Sequence, residues 1–297
     1  MPWIEAVFPF DLRGPEFLLF YLAFGGAVLL ALGLLRSWME PEEAVKISLT
    51  DPYSIAFLRG GKNEVLRVAT ISLIDRGLLK ANGAKVTLAS ESAAKQVRNP
   101  VEQAVLSFFS FQADAPLIFK AATCEPPTKP YERQMQELGL LPDYNVKSAR
   151  LRLFGFGLAL LWGVSVIKIV VAIQGGHKNI AFLILLSIFF ALFAYGISNP
   201  RLTGRGKALV KDLRSLFGSL KARSSGLMPG SNPTELALLA AVFGMAAIPA
   251  GAFPHVKTLY PKAAASSSSG CGSSCGSSCG SSCGGGGCGG GCGGCGS

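Results

Sequence analysis

The sequence has little of what enzymes are commonly built around. Only two histidines, His177 and His255, occur in 297 residues, and they belong to separate segments. A shared imidazole metal site is therefore not expected. No GxGxxG, P-loop, HExxH or GxSxG pattern occurs, so none of those phosphate-binding or catalytic fingerprints applies. Outside the last 29 residues there is a single cysteine, Cys124 in "ATCEPPTKP". No obvious base stands beside it, and a lone thiol is usually inert. These absences argue against enzymatic activity in the chain.

Charge is also scarce. Only 15% of residues are charged while 49% are hydrophobic, and the mean hydropathy is positive. The net charge of +10 then reads as the Lys/Arg excess of cytoplasmic segments in a membrane protein, not as a nucleic-acid footprint. Three apolar runs carry that reading. Residues 17–35, "FLLFYLAFGGAVLLALGLL", are 19 uncharged residues. At about 1.5 Å per residue they nearly cover a hydrocarbon core of about 30 Å. Residues 153–173 and 180–197 give a second and a third span. The six residues between them, "QGGHKN", allow only a tight helical hairpin.

The first run starts too late for a signal peptide and has no small-residue cleavage site after it, so it reads as an anchor. Before it stand Arg13 and three acids, Glu5, Asp11 and Glu16. Arg36 follows it, and Lys147, Arg150 and Arg152 precede the second span. Arg201, Arg205, Lys207, Lys211 and Arg214 follow the third. The positive-inside rule puts residues 1–16 outside, with 36–152 and 198–262 in the cytoplasm. A multi-pass membrane protein is expected. Lys168, inside the second span, lies five residues from its end, and its long stem is expected to lift the ammonium to the interface.

A fourth apolar stretch, "LALLAAVFGMAAI" at 236–248, decides the side on which the C-terminus lies. Asn232 suits an N-cap, Pro233 the first helical position and Glu235 the third. Pro249 and Gly251 end the pattern. About 16 residues, many of them alanine, predict a buried or interfacial helix at 233–249 and not a span. A crossing here would instead put the C-terminus in an oxidising exterior.

Between the first two spans the punctuation is that of a globular unit. Asp51 and Pro52 start a short helix that Gly60-Gly61 ends. A second helix is predicted over 64–76, stopped by Gly77, and Asn82-Gly83 signals a hairpin with a type I′ turn. Helix, helix, hairpin is the order of a winged-helix unit. Asn99, Pro100 and Glu102 open another helix, and "YERQMQELGLL" at 131–141 reads as a further amphipathic stretch. The winged-helix order invites a DNA-binding reading. Yet the second helix offers only Arg67 and Arg76, beside Glu64 and Asp75, whereas phosphate contact calls for a basic face. A structural or protein-docking role is expected, with no nucleic acid. The fold class that results is a mainly α membrane protein with three transmembrane helices, a winged-helix-like α+β cytoplasmic domain and a disordered tail at 263–297.

That tail holds seven of the eight cysteines: Cys271, Cys275, Cys279, Cys283, Cys288, Cys292 and Cys295. Only glycine and serine separate them. The last 32 residues are 14 Gly, 11 Ser and 7 Cys, and with no apolar residue to bury such a segment cannot offset its ordering entropy alone. A plain linker accounts for the glycine and serine but not for oxidation-prone thiols. Thiolates suit soft ions such as Cu(I) or Zn, although zinc knuckles usually leave two residues between paired cysteines. Disulfides would require an outside tail, and seven is an odd number. The third chemistry is enzymatic modification of the cysteines themselves.

"GGGGCGGGCGGCGS", with "GSSCG" repeats before it, resembles the core of thiazole- and oxazole-containing microcin precursors. There, Cys and Ser are cyclised onto the preceding carbonyl, which glycine leaves unhindered. More broadly, "DPYSIAFLRGG", "LIDRGLL", the paired spans, "LTGRGKALVKDL", "LALLAAVFG" and the Gly/Cys ending resemble an uncharacterised bacterial membrane-protein family. Its members carry a conserved hydrophobic region and a near-low-complexity, often Cys-rich C-terminus. The resemblance implies no assigned activity or site residues. It does imply, as partner, a metalloenzyme with multinuclear non-haem iron that modifies peptide cysteines. The competing expectation is a structural or adaptor protein whose tail is only a tether.

Overall fold

The computed structural model describes residues 14–41, 49–89, 97–174 and 181–265. Among the described residues, three helices are long and apolar enough to cross a membrane: α1 (Gly14–Met39), α6 (Tyr144–Gln174) and α7 (Ala181–Ser198). Leucines such as Leu19, Leu30, Leu185 and Leu192 stay exposed along them, as lipid-facing side chains do. Their inner faces meet closely. A Cβ on Gly25 of α1 would come within 2.4 Å of the Phe190 ring of α7, and one on Gly157 of α6 within 2.6 Å of Leu32. The buried Tyr21 hydroxyl donates to the Leu161 carbonyl at 3.1 Å, joining α1 to α6. The Lys168 ammonium lies 4.8 Å from the Phe17 ring centroid, at the end of the bundle where α1 begins.

The remaining elements build one further core. Asp51 accepts from the backbone N–H groups of Tyr53 and Ser54 at the start of α2 (Pro52–Gly60). Gly61, at φ 75°, ends that helix and begins α3 (Lys62–Asp75). The hairpin β1 (Leu79–Asn82) and β2 (Lys85–Leu88) follows, with Asn82 paired to Lys85. Gly83 and Ala84 therefore form the turn, so Asn82 is a strand residue rather than part of the expected Asn-Gly turn centre. Asn99 caps α4 (Pro100–Phe108) through the Val101 N–H at 2.9 Å. A two-residue strand β3 (Ala113–Asp114) pairs antiparallel with β2. Then comes α5 (Lys129–Glu137), which Gly139 closes at φ 68°.

The helix–helix–hairpin order is present, but a winged-helix domain is not supported. The sheet has only three short strands in the order β1-β2-β3, its third arriving after α4. The C-terminal part of the chain also completes the core, which a local reading of 51–88 could not anticipate. After α7 come α8 (Gly204–Leu216), α9 (Gly218–Arg223), α10 (Pro233–Phe243), α11 (Pro254–Leu259) and α12 (Pro261–Ala265).

Helix α10 packs against α2 and α3. Leu236, Ala240 and Ala241 share one core with Ile55, Leu58, Val65, Leu66 and Val68. The alanines that shorten its hydrophobic reach let it sit close to both partners. The expected helix of about 16 residues is 11 long. It ends at Gly244, where φ is 95° and a Cβ would lie 2.3 Å from the Arg59 guanidinium. Asn232 precedes it but makes no side-chain cap.

Candidate functional site

The seven tail cysteines, Cys271, Cys275, Cys279, Cys283, Cys288, Cys292 and Cys295, lie outside the described residues, as does His177. Their root is described. Phe253, Val256, Leu259 and Tyr260 of the last turns are buried in the shared core. The Tyr260 phenol is pushed up to about 12, chiefly by burial. In the five residues of α12 no side chain is fully buried, although Ala263 still packs against the core. The described chain is thus held against the packed core as far as α12.

Among the described residues, no group of three or more His, Cys, Asp or Glu is placed to hold a metal. Cys124 is buried, with its sulfur 3.9 Å from the Ala104 carbonyl. Burial pushes its thiol up, which disfavours the reactive thiolate. Burial likewise pushes the His255 imidazole down, with Asp75 opposing.

Arg67 of α3 and Arg76 just after it serve the domain's own packing. Arg67 pairs with Glu64 and lies 5.0 Å from the Phe119 ring. Arg76 Nη1 donates to Glu102 at 2.8 Å. Glu102, expected as a helix-start carboxylate, is buried and also accepts from the Tyr53 hydroxyl.

What the sequence did not disclose is a polar junction where the three long helices meet the core. Arg150, in the second turn of α6, is only 3% exposed. Its Nε and Nη2 each donate to the Glu40 carboxylate at 2.6 Å. It also donates to the Pro200 carbonyl at 2.6 Å and the Leu202 carbonyl at 3.2 Å. One guanidinium thus ties the end of α1, the start of α6 and the link from α7 to α8.

Neighbouring groups extend the junction. Arg36 donates to the Ile197 carbonyl at 3.1 Å, and Arg201 donates to the carbonyls of Phe57 and Leu58 at the end of α2. Thr203 donates to the Gly139 carbonyl and caps α8 through the Gly206 N–H. A Cβ at Gly206 would stand 2.3 Å from the Leu140 carbonyl oxygen, so glycine is what allows this approach. The only sequence signals were Arg36, Arg150 and Arg201 as positive flanks of the spans. Their partners are too far along the chain to be paired by spacing.

The arrangement is a hydrogen-bonded junction between a three-helix bundle and a split core whose last buried residues precede the cysteine segment. Compared with family models, curated proteins and solved structures, the chain matches none.

Proposed function

We propose that the protein is a membrane tether that displays its Cys/Gly segment as the substrate of a peptide-modifying enzyme. The observation that carries this is the burial of α10 in the core that residues 49–141 build. A helix packed there is not available to cross a bilayer. Residues 36–152 and 198–262 then lie on one side, which the positive-inside rule makes the cytoplasm. In that reducing space the seven sulfurs stay as thiols. The membrane is that of a bacterium, on the strength of the family resemblance. The core, whose finer likeness to a winged helix stops at the helix–helix–hairpin order, recruits a cysteine-modifying metalloenzyme as a leader region would.

A second reading is favoured by the donor set itself. Seven sulfurs separated only by glycine and serine form a soft, flexible ligand suited to Cu(I) or Zn. The pure tether is the remaining reading.

Intact-mass measurement of the protein from native membranes tests all three. The substrate reading predicts a mass below the sequence value by water, and by further hydrogen on oxidation, for several of the seven cysteines. An unmodified mass that retains stoichiometric copper or zinc under native conditions assigns the chelator. Unmodified thiols without metal leave the tether and overturn the proposal.

A further inference from the structure

The core has an end that faces the three long helices, and side-chain contacts mark it. Arg201 follows the end of α7 at Ser198 by three residues and donates to the Phe57 and Leu58 carbonyls in the last turn of α2. A Cβ on Gly61, where α3 begins, would stand 2.9 Å from the same guanidinium. The end of α2 and the start of α3 therefore lie at the junction. Gly244 meets Arg59 beside them, so α10 also ends on this side. From here α3 leads away for 14 residues, about 21 Å. At its far end Asp75 accepts from the Gly230 N–H at 2.7 Å.

The C-terminal helices retrace that path. His255, in α11, lies within electrostatic reach of Asp75, at the far end of α3. Tyr260, just after α11, has its ring centroid 5.9 Å from the guanidinium of Arg67, which is five residues past the start of α3. Helix α12 then packs on the short turn Met245–Ala247 that directly follows Gly244. The described chain thus runs back along α3 and reaches Ala265 on the side of the core that faces the bundle.

We infer that the core hands the cysteine segment to the bilayer surface. Cys271 is presented beside the lipid headgroups, and the modifying enzyme meets it there and not beyond the far end of the core. Six residues lead from Ala265 to Cys271, at most about 21 Å of extended chain. An enzyme that takes this sulfur therefore works along the membrane. The inference rests on the display proposed above and on the three long helices crossing a membrane.

Energy transfer from a fluorescent donor to acceptor-labelled lipid headgroups in nanodiscs tests it. The full chain carries serine at the tail cysteines and keeps Cys124, which is buried. The donor sits on Ala265→Cys, on Met228→Cys or on a retained Cys271. Residues 228 and 265 are exposed, so neither substitution removes a core contact. Met228 lies two residues before Gly230, at the far end of α3. With the length of α3 between the two sites, the donor at 265 should transfer at least about twice as much energy as the donor at 228. The donor at Cys271 should match the one at 265. Equal or stronger transfer from 228 overturns the placement, and so does a Cys271 donor that transfers no more than the one at 228. This comparison locates the segment whether or not it is modified, and intact mass detects modification wherever the segment lies, so either proposal can fail alone.

Discussion

Glu40→Ala is expected to cost the folded protein about 3–5 kcal/mol, read as a lower thermal midpoint in mild detergent. The cost comes from what remains rather than from what is lost. Arg150 is only 3% exposed and keeps its charge without the carboxylate that both Nε and Nη2 contact. The Pro200 and Leu202 carbonyls solvate part of that charge but neutralise none of it. Replacing both partners, as Glu40→Met with Arg150→Met, should cost less than the single change. It leaves two carbonyls short of a donor, at about 1–3 kcal/mol, but no buried ion. A single-variant loss below about 1 kcal/mol, typical of a surface pair, would mean that the junction does not couple the bundle to the core.

The second large effect concerns α10. Leu239 is fully buried, and Leu239→Ala is expected to cost about 2–5 kcal/mol through lost burial and the cavity left behind. Ala240→Asp, at a position with 0% exposure, places a charge where α10 meets α2 and α3 and should undock the helix. Hydrogen exchange would then quicken from Pro233 to Tyr260 and along α2 and α3, with α1, α6 and α7 still protected. Thr234→Ala, on the exposed face of the same helix, should change stability by no more than about 0.5 kcal/mol. Unaltered exchange in Ala240→Asp would show that α10 is not a structural part of the core.

These two effects lie at opposite ends of what could be read from the sequence. The three long helices were legible because length and apolar composition alone decide whether a segment can span. The starts of α2 and α4 were legible because Asp51 and Asn99 act on backbone only two or three residues away. The burial of α10 followed from its shortness and alanine content. Its partners did not, since α2 ends at Gly60 and α3 at Asp75 while α10 begins only at Pro233.

Misreadings share one cause. Asn232, followed by Pro233 and Glu235, carries every local signal of a cap, yet its backbone sits at φ −152° and its side chain makes no cap bond. The hairpin is real, but its register with β2 moved Gly83 to the first turn position. The winged-helix reading took local order as architecture, whereas the third strand comes from Ala113–Asp114 and part of the core from the C-terminal helices. Arg150 and Glu40, 110 residues apart, carried no mutual signal at all. The candidate site itself was legible only as chemistry. Cysteine count and spacing name soft donors or modification targets, while the fold contributes only the packed segment that precedes them in the chain.

The most direct measurement is the side of the membrane reached by each half of the split core. In one variant Cys271 is the only tail cysteine. In another the tail has none, and Asn82→Cys places a thiol on the exposed hairpin. Cys124, fully buried, stays as background in both. A membrane-impermeant maleimide applied to intact cells and to permeabilised cells should label both thiols only after permeabilisation. Labelling of Cys271 in intact cells, while the hairpin thiol of the Asn82→Cys variant stays protected, would put the two halves on opposite faces and contradict the shared core.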